Sequence, residues 1–225
     1  MASTKRVLSV NVGQPRKILW QGKSITTCIF KEPVAARVPV RRLNLDGDQQ
    51  ASLNVHGGPY KAVYVYPAEH YDYWRKEFPD RTLPFGMFGE NLTTEGVLET
   101  EVHIGDRFRV GSAEVQVTQP RIPCFKLEAK FGRDDMIERF LASHRSGFYL
   151  EVVKEGEVGA GDAVEPIHRD ENRVTVSEIV RLFTTGQEDL EGLRRAAQLN
   201  VLGASWRERF RQRIERIEAG SSEPS

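Results

Sequence analysis

The pattern of hydrophobic residues changes character near residue 167, and this change constrains the fold more than any single motif. Before it, short apolar and β-branched runs such as residues 23–30 and 147–153 are bounded by turn-forming residues. Many short strands with few helices favour a β-barrel or a β-sandwich. We therefore expect a mainly β domain over residues 1–167, with short helices at residues 68–78 and 134–141.

A different pattern begins after a charged linker at residues 168–173. Three amphipathic segments follow, separated by glycine. Thr175 and Ser205 each precede a glutamate by three residues, a spacing that forms a capping box at a helix start. The sequence thus predicts a small three-helix domain over residues 168–225. The predicted fold class is α+β overall, a β-barrel with a few short helices followed by this helical domain.

The charge of the chain argues against a nucleic-acid partner. Lys and Arg number 32, and so do Asp and Glu, so the formal net charge is zero. Neutralised phosphates supply most non-specific affinity for nucleic acids, and this chain lacks the bulk basicity for that. Residues 168–225 can also be read as a helix-turn-helix DNA module, but they contain ten basic and ten acidic residues. We favour a docking or packing role for these helices.

The composition also limits the expected cellular compartment and the kinds of metal site that the chain can form. No stretch approaches the roughly 20 apolar residues that span a bilayer, and no signal-peptide core is present. We expect a cytoplasmic protein without a membrane partner. Two cysteines, Cys28 and Cys124, are too few for a disulfide framework or an iron–sulfur cluster. The cysteines and histidines show no pair at zinc-ligand spacing.

The strongest candidate for chemistry is the hexapeptide at residues 119–124, Gln-Pro-Arg-Ile-Pro-Cys. A β-rich run at residues 113–118 leads into it, and its two prolines predict a stiff loop. Arg121 places a permanent cation three residues from the Cys124 thiol. A nearby cation favours thiolate, which is both the nucleophile and the metal ligand. The alternative is a small buried cysteine beside a surface arginine.

A second stretch combines glycines with polar side chains. Gly57 and Gly58 permit close approach of the backbone to a ligand, and His56 and Lys61 flank them. The lysine is a point charge suited to phosphate. The spacing is not that of a Walker loop, and the stretch can also be a plain glycine turn with exposed neighbours.

A third stretch, Gly89-Glu90-Asn91, offers a carboxylate and an amide in a glycine-punctuated loop. Alone it is typical of a turn. A hydrolase has little support, since no Gly-x-Ser-x-Gly elbow exists and a pairing of Cys124 with His56 cannot be told from chance in one sequence.

Taken in order, these motifs resemble the MOSC domain, the molybdenum cofactor sulfurase C-terminal family, and in particular its YiiM-like branch. The matching residues are 46–49 with 56–58 and 61–63; 88–92; 104–106; 119–124; and 147–149 with 161–162. The resemblance covers nearly the whole chain, because the tail is similar to the three-helix domain that follows MOSC in this branch. At Gly89 the sequence departs from other branches, which often carry arginine there.

The resemblance implies a β-barrel that holds a pyranopterin molybdenum cofactor, with Cys124 binding molybdenum or carrying a sulfur atom. For this branch it implies reduction of N-hydroxylated compounds, including hydroxylaminopurine-type bases and amidoximes. A thiolate is a suitable soft ligand for a heavy transition metal. Since two cysteines cannot hold a ferredoxin cluster, we expect electrons from a separate electron-transfer protein.

Roles for the remaining residues follow from the resemblance and their chemistry. The predicted cofactor-binding residues are Cys124, Arg121, Lys61, His56, Gly57, Gly58 and Asn91, with Arg41 or Arg42 as further phosphate contacts. The residues predicted to supply a proton or hydrogen bond are His56, Glu90 and Asn91. The alternative function is a molybdenum cofactor carrier or sulfur-transfer protein with a persulfide on Cys124. The sequence is compatible with either a monomer or a homodimer.

Overall fold

The computed structural model of the protein describes residues 5–49, 58–185 and 189–220. Its strands are β1 (Arg6–Val12), β2 (Arg16–Trp20), β3 (Lys23–Thr27), β4 (Glu32–Val34), β5 (Val38–Val40), β6 (Val63–Pro67), β7 (Leu92–Glu95), β8 (Arg107–Val110), β9 (Ala113–Pro120), β10 (Phe148–Lys154), β11 (Gly156–Val158) and β12 (Val164–His168). Its helices are α1 (Glu69–Glu77), α2 (Phe125–Phe131), α3 (Met136–Ser143), α4 (Val176–Thr184), α5 (Leu190–Gln198) and α6 (Ala204–Gly220).

Most strands belong to one eight-stranded sheet with the order β12-β8-β9-β10-β6-β7-β1-β4. Neighbouring strands in it are antiparallel, except that β6 and β7 run parallel. The pairs β5–β11 and β2–β3 form small ribbons. Together with the C-terminal helices, this sheet confirms the predicted α+β class.

The sheet is not closed into the barrel that the sequence predicted. On one edge of β1, β7 pairs with residues 6–10, and on the other edge β4 pairs with residues 10–12. Only the first residues of that second edge are left to meet the segment before β12. There Arg6 and Ala163 form an isolated bridge, and the Val7 amide donates to the Asp162 carbonyl at 2.9 Å. The sheet therefore curls until β1 meets the start of β12 through a bridge rather than a continuous ladder.

The main apolar core continues from the sheet into the C-terminal helices. Val115 and Val117 of β9 belong to the same buried cluster as Ile179 of α4, Leu193 of α5 and Phe210 of α6. Of the three helices, α4 contacts β9 directly, whereas α5 and α6 pack mainly on each other. The domain boundary between residues 167 and 168 stays a prediction.

Three helices that the sequence predicted are present, one of them with the predicted cap. The helices expected at residues 68–78 and 134–141 are present as α1 and α3. At the start of α4, Thr175 Oγ1 accepts from the Glu178 amide at 3.0 Å, and the Glu178 carboxylate accepts from the Thr175 amide at 2.6 Å, which completes the predicted capping box. No helix within the described ranges is long and apolar enough to cross a bilayer.

The capping box predicted at Ser205 is wrong. Helix α6 already begins at Ala204, and the Gly203 carbonyl accepts from the Trp206 amide at 2.9 Å. A β-carbon at Gly203 would lie 2.6 Å from Oε1 of Gln119 in β9, so the residue just before the helix packs closely on this strand.

A second, aromatic cluster lies where α1 and α3 cover the sheet. Trp74 is fully buried, and its ring lies 5.5 Å from Phe88 and 6.1 Å from Phe140, centroid to centroid. Its Nε1 donates to the Tyr66 hydroxyl at 2.7 Å. Such rings contribute both buried area and specific ring contacts to stability.

Replacing Trp74 with alanine should lower the free energy of unfolding by about 3–5 kcal/mol, because it leaves a large cavity and an unpaired Tyr66 hydroxyl. Urea unfolding measures this change. Leu19→Ala is the control, since Leu19 is 76% exposed, and it should change stability by less than about 0.5 kcal/mol. Equal stabilities for the two variants would contradict the packing.

Lys130 of α2 ties this helix to two loops. Its Nζ donates to the Ile29 carbonyl at 2.8 Å and to the Gly86 carbonyl. Burial lowers the pKa of Lys130 to about 8, although the negative charge of Glu90 acts in the opposite direction. A lysine whose pKa is lower in the folded state releases its proton on folding, so stability rises with pH between the folded and the unfolded pKa.

From pH 8 to pH 10, the wild type should therefore gain about 2 kcal/mol of unfolding free energy relative to Lys130→Met. Chemical denaturation across this pH range gives the difference. Lys17→Met, which removes an exposed lysine, should follow the wild-type curve. If Lys130→Met also parallels the wild type, the titration of Lys130 is not coupled to folding.

Candidate functional site

The Cys124 loop begins where β9 ends and stops where α2 starts. Strand β9 reaches Pro120, two residues beyond the predicted strand, because Pro120 still pairs with Phe148 of β10. A proline is tolerated at such a strand end, where its missing amide hydrogen costs little. Residues 121–124 form the loop, and Cys124, with extended backbone angles of φ −136° and ψ 171°, precedes α2. Helix α2 itself was not predicted.

A cleft beside this loop brings together four of the predicted site residues, Lys61, Asn91, Arg121 and Cys124. About 100 Å³ of it admits water-sized molecules, and the space reaches about 640 Å³ with its solvent-open mouth included. The second cysteine, Cys28, lines the same cleft. The other lining residues are Thr27, Ile29, Lys31, Gln49, Tyr64, Gly89, Ile122, Lys126 and Tyr149.

Arg121 is the buried cation of this cleft, with only 6% of the residue exposed. Its guanidinium carbon lies 5.1 Å from the ring centroids of both Tyr64 and Phe140. Burial acts to lower its pKa, but neighbouring tyrosines and Cys124 raise it, and the net shift is upward. Its Nη1 is buried without a hydrogen-bond partner among the described residues. The permanent positive charge of the guanidinium favours an anion in the adjoining cleft.

Cys124 is half-buried and forms no disulfide. It lies within electrostatic reach of the Arg121 guanidinium. Across the described ranges, no three His, Cys, Asp or Glu side chains come together as a metal site. The thiol and the guanidinium together can hold a soft metal and an anion side by side.

A buried polar chain that the sequence did not predict forms another part of the wall. Lys31 Nζ lies 2.5 Å from Asp48 Oδ2, which also accepts from Asn91 Nδ2 at 2.9 Å. Asn91 Oδ1 accepts from the Tyr64 amide at 3.0 Å, so both ends of its amide are engaged. Burial lowers the pKa of Lys31, although Asp48 acts in the opposite direction. Asp48 lies in the motif at residues 46–49, whereas no pattern in the sequence pointed to Lys31 as a site residue.

Glu90 does not line the cleft, although Asn91 beside it does. Its carboxylate is fully buried and accepts from the Gly86 amide at 2.7 Å, the Phe88 amide at 3.0 Å and Thr93 Oγ1 at 2.9 Å. The Tyr71 hydroxyl donates to it as well. This arrangement favours a structural role over the proton-donating role predicted from sequence.

The glycine stretch is described only from Gly58 onward, so His56 and Gly57 lie outside the described residues. Gly58 has φ 93°, a conformation that favours glycine, and the Lys61 amide donates back to its carbonyl at 3.0 Å. Burial lowers the pKa of Lys61.

Arg41 and Arg42, predicted as further phosphate contacts, are not among the residues that line the cleft. Arg41 pairs with Asp46 at 2.9 Å, and Arg42 donates to the Val152 carbonyl at 3.3 Å.

Comparison with known proteins places these features in a family. The family model described as MOSC domain matches residues 52–165, and the model described as YiiM-like, 3-alpha helix domain matches residues 174–216. The uncharacterized protein YflK of Bacillus subtilis is 43% identical over 211 residues, covering 94% of this chain and 95% of YflK.

Solved structures and a longer relative agree with that placement. The crystal structure of YiiM from Geobacillus stearothermophilus has a TM-score of 0.79 and 32% identity, covering 93% of this chain and 99% of that chain. A protein of Gibberella moniliformis named reductase is 31% identical over 196 residues, which are 86% of this chain but 35% of that protein. The chain belongs to the MOSC-domain family and carries the YiiM-like three-helix domain at its C-terminal end.

Proposed function

We propose that the protein is a molybdenum-cofactor-dependent reductase of N-hydroxylated compounds that works in the Cys124 cleft with electrons from a separate protein. The observation that carries the proposal is the buried Arg121 guanidinium beside a half-buried thiol, both on the wall of one cleft. Membership of the MOSC-domain family and the similarity to the fungal protein named reductase support an oxidoreductase.

Two chemical features of the cleft support the proposed cofactor. The cofactor's phosphate is an anion, and Arg121 and Lys61 supply cations on the cleft wall, with the Gly58 backbone next to Lys61. Cys124 supplies a soft sulfur ligand of the kind that molybdenum accepts. When bound, the cofactor supplies the two-electron oxygen-transfer chemistry that protein side chains lack.

The reaction consumes two electrons and two protons: R–NH–OH + 2 e⁻ + 2 H⁺ gives R–NH₂ + H₂O. Lys31 is the proposed source of one proton, because its ammonium lines the cleft and burial lowers its pKa. Asp48 and Asn91 hold the lysine in place through the contacts described above. His56 stays a proposed second donor or cofactor contact.

Cys124→Ser should abolish both molybdenum retention and turnover, whereas Cys28→Ser should retain both. Each variant removes one thiol from the same cleft. Comparing them distinguishes the loss of a specific metal ligand from the effect of removing any thiol there. The measurements are molybdenum content by elemental mass spectrometry and reduction of 6-hydroxylaminopurine by a reduced viologen dye, on protein expressed with ample molybdate.

Two results would count against the reductase. If metal-replete wild type does not reduce any of several N-hydroxylated compounds, the proposed reductase activity is excluded. Metal-free protein with cyanide-releasable sulfur on Cys124 would instead favour the carrier or sulfur-transfer function. Equal metal content in the two cysteine variants would remove Cys124 as the ligand.

Lys31→Met should lower kcat by roughly 100-fold with little change in KM or molybdenum content, as expected for loss of a proton donor. Lys126→Met, which removes another lysine from the cleft wall, should stay within about twofold of wild type. Because Lys31→Met leaves Asp48 buried without its cation, a second variant that combines it with Asp48→Asn restores the charge balance. Full activity in that double variant would exclude Lys31 as the donor.

A further inference from the structure

A second groove adjoins the Cys124 loop on the side of the C-terminal helices. It is lined by Ile122, Phe183, Ser205, Trp206 and Arg209 and has a volume of about 170 Å³. Ile122 lines both this groove and the Cys124 cleft. A molecule in the groove therefore lies directly against the loop that carries Cys124.

The groove offers aromatic contact area. The rings of Phe183 and Trp206 are 5.3 Å apart at an interplanar angle of 62°. Trp206 also packs on Phe210 at 5.8 Å and is 7% exposed, so its position is fixed by the core. Rigid aromatic side chains of this kind bind flat, unsaturated rings with little loss of conformational freedom.

The groove also carries a cation without a carboxylate partner. The Arg209 guanidinium carbon lies 5.1 Å from the Phe183 ring centroid. No Asp or Glu oxygen lies within 4.0 Å of it in the part of the chain that the structure describes, whereas Arg211 on the same helix approaches Glu208 at 3.8 Å. Stacking orients a guanidinium while leaving its N–H edge for a carboxylate or phosphate.

We propose that this groove binds the part of the substrate beyond the reacting group, and that the substrate is a nucleotide, an aromatic base linked to a phosphate, rather than a free base. Phe183 and Trp206 contact unsaturated rings, and Arg209 pairs with the phosphate. The reacting end is then directed past Ile122 toward Cys124. This assignment of substrate class rests on the proposed function, but the binding itself does not depend on turnover.

The test is calorimetric titration of metal-free, full-length protein at physiological salt with adenosine 5′-monophosphate and with adenosine. The monophosphate should bind at least about tenfold more tightly than adenosine, as a charge-assisted contact provides. Arg209→Gln should abolish that difference. Arg216→Gln, which removes an exposed arginine outside the groove on the same helix, should preserve it.

Three outcomes would overturn the proposal. Equal affinities for adenosine 5′-monophosphate and adenosine would show that the groove makes no contact with the phosphate. If Arg209→Gln and Arg216→Gln weaken binding of the monophosphate equally, the attraction is general and not specific to Arg209. If inorganic phosphate binds as tightly as the nucleotide, Phe183 and Trp206 contribute nothing to binding. Since no molybdenum is present in the titration, a failed reductase assay leaves these results unaffected.

Discussion

The buried guanidinium of Arg121 is the interaction on which the site depends. Placing a charge inside a protein costs several kcal/mol unless partners offset it. Tyr64 and Phe140 offset part of this cost through their ring faces, but Nη1 has no hydrogen-bond partner among the described residues. An anion in the cleft would bring an opposite charge near the guanidinium and offset more of this cost. The Cys124 thiol lies within electrostatic reach of the same cation.

Two adjacent residues, Glu90 and Asn91, stabilise different parts of the structure around the cleft. Glu90 turns into the aromatic side of the structure, where four donors satisfy it, whereas Asn91 faces the cleft and holds Asp48. The two side chains lie on opposite sides of the chain just before β7, so one motif contributes to both the aromatic cluster and the cleft. Asp48 then fixes Lys31 at the cleft wall.

Sequence patterns predicted the elements whose signals are local. The capping box at Thr175 and the short helix beginning at Glu69 are fixed by neighbouring residues, and both were read correctly. The helix start at Ala204 was missed by one residue, at a point where Gly203 packs against the distant Gln119. Closure of the sheet likewise depends on which strands flank β1, and no local pattern encodes that. In the site, the motifs identified Arg121 and Cys124, but Lys31 joins them only through tertiary contact with Asp48.

We propose that the Cys124 sulfur is the protein's ligand to molybdenum, beside the Arg121 cation. X-ray absorption at the molybdenum edge measures this ligand, on cofactor-loaded wild type and on the same cofactor free in solution. One more sulfur neighbour around molybdenum is expected in the loaded protein than in the free cofactor. The same number of sulfur neighbours in the two samples would exclude Cys124 as the ligand.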